Sequence, residues 1–297
     1  MTLSISVITP SYNQAAFIGR TIDSVLAQNV AELDYTVVDG GSDDDTVRVL
    51  ERYGGGIRWV SEPDRGQADA VNKGIRWTRG DIIGWLNSDD IYYPGAVRAV
   101  LEHFEADPEC DLVFGDANHI DENDEILEPY PTQPWSSDRL KEVCGLCQPG
   151  VFFRRRLVQQ HGDLDESLQY CMDYEYWLRL ADKGVRVHHL RRVLAGSRLH
   201  AATKTLGSRV KVHREINDMM RRRFGRVPDR WLYNYAHSVL DDRGVPRSKT
   251  GRFALGLSVL SCYASLRWNR RISRALLGTA SRWVWQHSVH ALKEAWS

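Results

Sequence analysis

Four polar residues, Asn87-Ser-Asp-Asp90, directly follow the apolar run Ile82-Ile-Gly-Trp-Leu86. A short apolar run of that kind reads as a buried strand, so the two acids stand at a strand end. An Asp-Asp pair by itself is more often a solvated turn. Carboxylates pressed against a core are unfavourable unless a cation or hydrogen-bond donors compensate. A divalent ion answers that need and can also grip a diphosphate. Asp39 poses a related question. It closes the run Tyr35-Thr-Val-Val, and Gly40-Gly41 follows, a pair that lets backbone approach a ligand closely. A carboxylate there can accept hydrogen bonds from a nucleotide, or it can serve its own turn.

The elements expected to hold these residues alternate. Apolar, β-branched runs predict strands at 5–9, 35–39, 57–61 and 81–86, with helix-spaced segments at 15–28, 43–53 and 67–78 between them. Such alternation implies an α/β fold with a parallel sheet covered on both faces. Ligands of such sheets bind outside the carboxyl ends of the strands, which marks 9–13, 39–45, 62–66 and 87–90. Further on, the pattern predicts a helix at 94–105, strands at 112–115, 151–153 and 185–190, and a helix at 171–183. Residues 118–147 are polar and Pro-rich and read as a loop or an antiparallel excursion. Beyond 204 the character changes to amphipathic helices at 207–224, 230–240, 253–268 and 271–296.

The formal charge of the 297 residues is zero, yet residues 204–297 carry 19 Lys/Arg against 6 Asp/Glu, and residues 1–203 carry 20 against 33. An acidic body with a basic tail suggests that the tail meets an anionic surface. The tail also holds Trp231, Trp268, Trp283, Trp285 and Trp296, with Arg267, Arg270, Arg271 and Arg274 flanking apolar stretches. Basic helices with tryptophan suit a membrane interface. Packing on the acidic body or a homodimer interface is the alternative. Nothing resembles a signal peptide or a spanning segment, so a cytoplasmic chain is expected, peripheral at most on the inner face of the membrane. Five cysteines without framework spacing read as reduced thiols. Arg154-Arg-Arg156 reads as a solvated run, and His188 and His189 receive no role. No nucleic-acid-binding pattern is present.

Ser6-Val-Ile-Thr-Pro-Ser-Tyr-Asn13, Val38-Asp-Gly-Gly-Ser-Asp43, Ser61-Glu-Pro-Asp-Arg-Gly-Gln67 with Asn72-Lys-Gly74, and Leu86-Asn-Ser-Asp-Asp90 occur in that order. Together they resemble the inverting glycosyltransferases of family 2, which have the GT-A fold, and the resemblance covers about residues 4–203. It implies a Rossmann-like, mostly parallel sheet with helices on both faces. Residues 1–203 would form the catalytic domain, with a nucleotide-sugar and metal half (1–100) and an acceptor half (101–203). Residues 204–297 would be a helical extension. The implied partners are a nucleotide-sugar donor, most commonly of UDP, and a saccharide or lipid-linked acceptor. The implied cofactor is Mn²⁺ or Mg²⁺.

The resemblance also implies roles. Thr9, Pro10 and Tyr12 lie beside the base, and Asp39 contacts it. Asp64, Gln67, Asp69 and Asn72 fall near the ribose and diphosphate. Asn87, Ser88 and Asp89 occupy the family's Asp-x-Asp slot, where Asn87 replaces the first Asp and suits a ribose contact better than a metal. Asp89 is the metal-binding carboxylate, and Asp90 is a further ligand or supports it. Asp173, in Asp173-Tyr-Glu-Tyr-Trp-Leu-Arg179, matches the family's general base, although Met172 replaces the usual preceding Glu. Glu175 is the fallback. Trp177 stands four residues from Asp173 on the same helix face and would wall a sugar ring. His200 would meet the diphosphate or complete the metal shell, and Gln148 would line the acceptor side. Two other classes compete. An inactive nucleotide- or carbohydrate-binding protein of the same fold fits the departures at Asn87 and Met172. A methyltransferase-like Rossmann enzyme lacks support, since Thr9-Pro-Ser-Tyr-Asn13 contains no glycine.

Overall fold

A computed structural model describes residues 2–200, 203, 207–247 and 250–294. The chain forms two compact units, one of Met1–Leu140 with Cys144–Thr203, the other of Lys141–Val143 with Lys204–Ser297.

The first unit alternates as the apolar runs require. It begins β1 (Ile5–Ser11), α1 (Ile18–Leu26), β2 (Leu33–Asp39), α2 (Thr46–Arg52), β3 (Arg58–Ser61), α3 (Gln67–Trp77) and β4 (Ile82–Trp85). It continues β5 (Ile91–Tyr92), α4 (Ala96–Ala106), β6 (Leu112–Ile120), β7 (Ile126–Pro129), α5 (Ser137–Glu142), β8 (Val151–Arg154), α6 (Arg156–His161), α7 (Met172–Asp182) and β9 (Val187–Arg198). One sheet of nine strands runs β3-β2-β1-β4-β8-β6-β9-β5, with β7 on β6. The first four strands are parallel, and β8 lies antiparallel between β4 and β6. That reversal matters. It brings the start of β8 to the same rim as the ends of β1, β2 and β4. Because β9 runs parallel to β6, its end reaches that rim too.

The core packs Ile5, Val7, Ile18, Ile22, Val37, Leu50, Ile82, Val100 and Phe104 at 0% exposure. The expected segment 118–147 is neither wholly loop nor wholly strand: β6 runs on to Ile120 and turns back as β7. Pro10 sits inside β1, which the sequence reading ended before it. Ile8 accepts a bond from the Leu86 N–H and Ser11 accepts one from the Gly40 N–H. Alternate residues therefore face β4 and β2, and the missing donor of Pro10 falls on the β4 side after that strand has left.

The reading of Arg154-Arg-Arg156 as a solvated run is wrong. Arg154 is 9% exposed, and it donates to the carbonyls of Cys110 and Phe104 at 2.8 Å. Arg155 donates to the carbonyls of Gly80 at 2.6 Å and Ile75 at 2.7 Å, and to Thr78 Oγ1. Arg156 bonds Asp111 at 2.9 Å. Two of the three guanidiniums thus close the carboxyl-terminal ends of α3 and α4, where orphan carbonyls and the helix dipole favour a cation.

The second unit holds α8 (Arg209–Phe224), α9 (Asp229–Asp242), α10 (Thr250–Asn269) and α11 (Arg274–Glu294). Ala236, Leu240, Phe253 and Leu257 form its centre. Trp268 Nε1 donates to Asp218 at 2.7 Å. Trp231 and Trp268 are 7% and 4% exposed, so they are core residues rather than interfacial ones. Trp296 lies outside the described residues. Among the described residues, no helix is long and apolar enough to cross a membrane.

Replacing Arg155 by Met would strand buried carbonyls, at a cost of about 2–4 kcal/mol. The urea midpoint should fall with an unchanged slope. A midpoint within experimental error of the parent protein would show that the clamp contributes nothing.

Candidate active site

The acidic turn after β4 is fastened from below. Thr21 Oγ1, on α1, donates to the carbonyls of Ser88 and Asp90 at 2.9 and 2.8 Å. Arg198, at the end of β9, is 1% exposed. Its Nε donates to the Asp89 carbonyl and one terminal nitrogen to the Asp121 carbonyl, both at 2.7 Å. Its other terminal nitrogen pairs with Asp124, and its backbone N–H donates to Asp90 Oδ1 at 2.9 Å. The guanidinium also lies over the Phe17 ring, 5.1 Å from the centroid. Three chain segments are thereby fixed around one turn. Arg198 received no role from the sequence reading, which ended the nearest expected strand at residue 190.

The fixing separates the two acids. Asp90 is 3% exposed and accepts a second bond from Asn87 Nδ2 at 3.2 Å. Burial and the neighbouring Asp89 charge push its carboxyl well above the usual range. Asp90 therefore faces inward and is not presented as a metal ligand. Asp89 faces outward, its Oδ2 3.0 Å from His200 Nε2. The His200 ring packs on Phe17, centroids 4.6 Å apart, and its backbone N–H donates to Thr203 Oγ1. A half-buried carboxylate and a buried imidazole thus meet at the rim.

Asn87 is committed elsewhere. Its Oδ1 accepts from Gln67 Nε2 at 2.7 Å and Trp85 Nε1 at 2.9 Å, which occupies both lone pairs. It links α3 to the acidic turn. Ser88 is 5% exposed, and its carbonyl serves Thr21. The Asn87 oxygen has no lone pair left for a donor, and one N–H of Asn87 remains.

At the β2 end, Asp39 is 0% exposed. Its Oδ2 accepts from Ser42 N–H at 2.9 Å, Ser61 Oγ at 2.7 Å and Gly41 N–H at 3.2 Å, and its Oδ1 accepts from Ser42 Oγ at 2.6 Å. In this state it shapes its own turn. Gly41 has φ +81°, and a Cβ on Gly40 would come within 2.6 Å of Asp64 Oδ2. The glycines therefore let the Asp64 carboxylate lie against the loop. Burial, with Asp69 and Asp39 nearby, raises the Asp64 carboxyl.

Three other expectations are corrected by burial. Within Thr9–Tyr12, Thr9 is 0% exposed, its Oγ1 held by Tyr35 OH, and Pro10 is buried in β1; Tyr12 alone stands out, at 59%. Asn72 is 0% exposed. It donates to the Leu164 carbonyl and Glu166 and accepts from the Leu164 N–H, all at 3.0 Å, so it ties α3 to a loop rather than facing a donor. Asp69 is 3% exposed and accepts from the Arg65 backbone and side chain, with Lys73 Nζ at 3.7 Å. It closes the first turn of α3.

On the acceptor side, Gln148 is 9% exposed; its Nε2 donates to the Trp85 carbonyl at 2.6 Å, and its Oε1 is buried without a hydrogen-bond partner among the described residues. Asp173 stands in the first turn of α7. Burial raises the Cys147 thiol, and the charges of Asp90 and Asp173 both push it the same way. Asp173 and Asp90 thus each lie within electrostatic reach of Cys147. Burial chiefly, and Asp173 next, raise Cys144 likewise; no disulfide joins any of the five cysteines. Glu175 is bonded to Arg179 at 2.7 Å, and Arg179 in turn bonds the carbonyls of His161 and Asp163. Trp177 is 1% exposed, packed on Phe153 and Tyr176. It is a core residue and presents no wall to a sugar.

Among the described residues, His103, Asp107 and Cys110 are the one group of three whose ligand atoms lie within 4.8 Å of one another. They sit where β6 begins, level with the start of β4, at the opposite edge of the sheet.

Asp69 yields a pH test. Burial alone would raise its carboxyl, but the Arg65 bonds and Lys73 outweigh it and hold it below 3.8. Its contribution is therefore present above that value and lost as the pH falls through the depressed one. Asp69→Asn should cost about 1–2 kcal/mol near neutrality, and the gap should close on acidification. A gap independent of pH in urea titrations would refute the assignment.

The chain matches the family model described as glycosyl transferase family 2 over residues 6–162. It is 29% identical to the chondroitin synthase of Escherichia coli over 206 residues, which span 68% of this chain and 30% of that one. It is 30% identical to an uncharacterized glycosyltransferase of Rickettsia prowazekii over 214 residues, 68% of this chain and 65% of that one. The matches thus span less than two thirds of these relatives. Among solved structures, Staphylococcus aureus TarS 1–349 in complex with UDP-GlcNAc superposes with a TM-score of 0.58 at 13% identity, covering 98% of this chain and 92% of that one. The mannosyltransferase PcManGT of Pyrobaculum calidifontis, in complex with GDP-Man and Mn²⁺, gives 0.59 at 17%, covering 100% and 88%. These likenesses establish the GT-A fold. With the family match over half its length, the chain belongs to glycosyl transferase family 2.

Proposed function

We propose that the chain moves a sugar from a nucleotide-diphosphate donor to an acceptor hydroxyl by direct displacement, inverting the anomeric centre. The observation that carries this reading is the pair Asp89–His200 at 3.0 Å, its carboxylate half-buried and its imidazole buried, at the strand-end rim. A carboxylate oxygen and an imidazole nitrogen suit Mn²⁺ or Mg²⁺, with diphosphate oxygens supplying further ligands. When bound, that cation neutralises charge on the departing diphosphate.

The chain's own groups do the rest. Asp173 accepts the proton of the acceptor hydroxyl as its oxygen forms the new bond. Gln148 Oε1 has acceptor capacity to spare and can orient a sugar hydroxyl. Tyr12 offers an exposed ring for the nucleotide base. Asp39 and Asp64, across Gly40, form the floor on which the nucleoside rests. UDP and GDP sugars are the first donors to test, since proteins of the same fold bind UDP-GlcNAc and GDP-Man. The acceptor is a saccharide or lipid-linked chain of cell-surface polysaccharide or glycolipid synthesis, at the inner face of the membrane. Relatives named as chondroitin and hyaluronan synthases support a polysaccharide product.

A thermal-shift screen with UDP-, GDP- and dTDP-sugars, with and without Mn²⁺, should single out one donor class by mass action. With that donor, Asp173→Asn should lower turnover by about 10²–10⁴-fold while donor binding persists. Asp89→Ala should weaken donor binding and its dependence on Mn²⁺. Anomeric NMR of the product should show inversion. Retention of configuration, or full activity in Asp173→Asn, would overturn the mechanism. Donor binding with no turnover would favour the binding-protein reading that Asn87 and Met172 suggest.

A further inference from the structure

The helix α10 is apolar on two sides. One side faces its own unit: Phe253, Ala254, Leu257, Ala264 and Trp268 are at most 9% exposed. The other faces out, with Leu255 at 55%, Val259 at 59%, Tyr263 at 53% and Leu266 at 52%. Spacings of four, four and three residues keep these four within roughly an 80° arc along about 17 Å of helix. A helix exposed to water on that face would ordinarily carry polar residues there. Here the polar residues stand at its ends. Arg252 precedes the stripe, and Arg267 and Arg270 follow it, all three exposed.

The surroundings carry one sign of charge. Residues 243–293 contain ten Lys/Arg and no Asp/Glu. On α11, Leu277 at 49% and Trp285 at 67% are exposed, with exposed Arg274 and Arg282 between or beside them. A second copy of the chain is a poor occupant for this face. Antiparallel pairing of two stripes would set Arg252 against Arg267 and Arg270, and parallel pairing would set each arginine against itself. An anionic lipid surface meets both demands, apolar for the stripe and negative for its rim.

We propose that α10 is an interfacial helix: Leu255, Val259, Tyr263 and Leu266 enter the headgroup boundary of an anionic leaflet while Arg252, Arg267 and Arg270 bind its phosphates. This names the surface behind the membrane-side role proposed above, and it stands apart from the transfer chemistry.

Flotation of the full chain with vesicles tests it. Vesicles of phosphatidylglycerol and phosphatidylcholine should bind the chain, and pure phosphatidylcholine should not. Leu255→Ser with Val259→Ser and Leu266→Ser should lower vesicle affinity by about tenfold or more, from the lost apolar burial. Arg267→Glu with Arg270→Glu should also lower it, and binding by the parent chain should weaken with salt. Donor hydrolysis in lipid-free buffer should be unchanged in both variants, which separates failure of the docking face from failure of the transferase reading. Anionic vesicles that leave the chain unbound, a serine variant that floats as well as the parent, or a dimer in sedimentation velocity that the serine variant abolishes would each overturn the proposal.

Discussion

A buried guanidinium beneath an acidic turn is the interaction on which this rim depends. Arg198 reaches three carbonyl or carboxylate partners in two chain segments, the acidic turn and residues 121–124, and its own N–H holds Asp90. Buried cations are tolerated only when their donors are met. Here Nε is met by the carbonyl of Asp89 in the acidic turn, one terminal nitrogen by the carbonyl of Asp121, and the charge by the Asp124 carboxylate. The arrangement fixes which acid faces out. With Asp90 held inside by Arg198 and Asn87, Asp89 is left to pair with His200.

The same economy appears across the rim. Asn87, Asn72 and Asp69 are polar residues of the motifs that carry the family resemblance, yet each directs its hydrogen bonds to the protein. Asn87 joins α3 to the acidic turn, Asn72 joins α3 to residues 164–166, and Asp69 closes the α3 amino end. They make a rigid floor. Of the residues assigned to the site, Tyr12 is exposed and Asp64, Asp89 and Asp173 are half-buried. A preorganised shell of this kind keeps reacting groups in place without rearrangement during the reaction. At the opposite edge, Arg154 and Arg155 close helix ends and let the parallel strands meet a reversed neighbour.

Strand and helix order, the GT-A class and the rim at which to search were all legible in the sequence. They follow from local rules: apolar runs alternate with helix spacing, and ligands of such sheets gather at the strand carboxyl ends. The family itself was legible because four short motifs fall in order. Element ends were read less well, since β6 and β9 extend through polar residues whose pairing is set by their neighbours in the sheet. The basic bias of the last third was plain as composition.

What the tertiary structure alone decided was direction. Asp89 and Asp90 are adjacent and chemically identical, and only the position of Arg198, more than a hundred residues away, turns one inward. Trp177 and Trp231 carry the same ring as Trp285, and packing alone made the first two core and the third exposed. Arg154 and Arg155 looked solvated until α3 and α4 ended against them. A sequence names which groups are present; which of them water, a ligand or a neighbouring side chain will meet depends on contacts between segments distant along the chain.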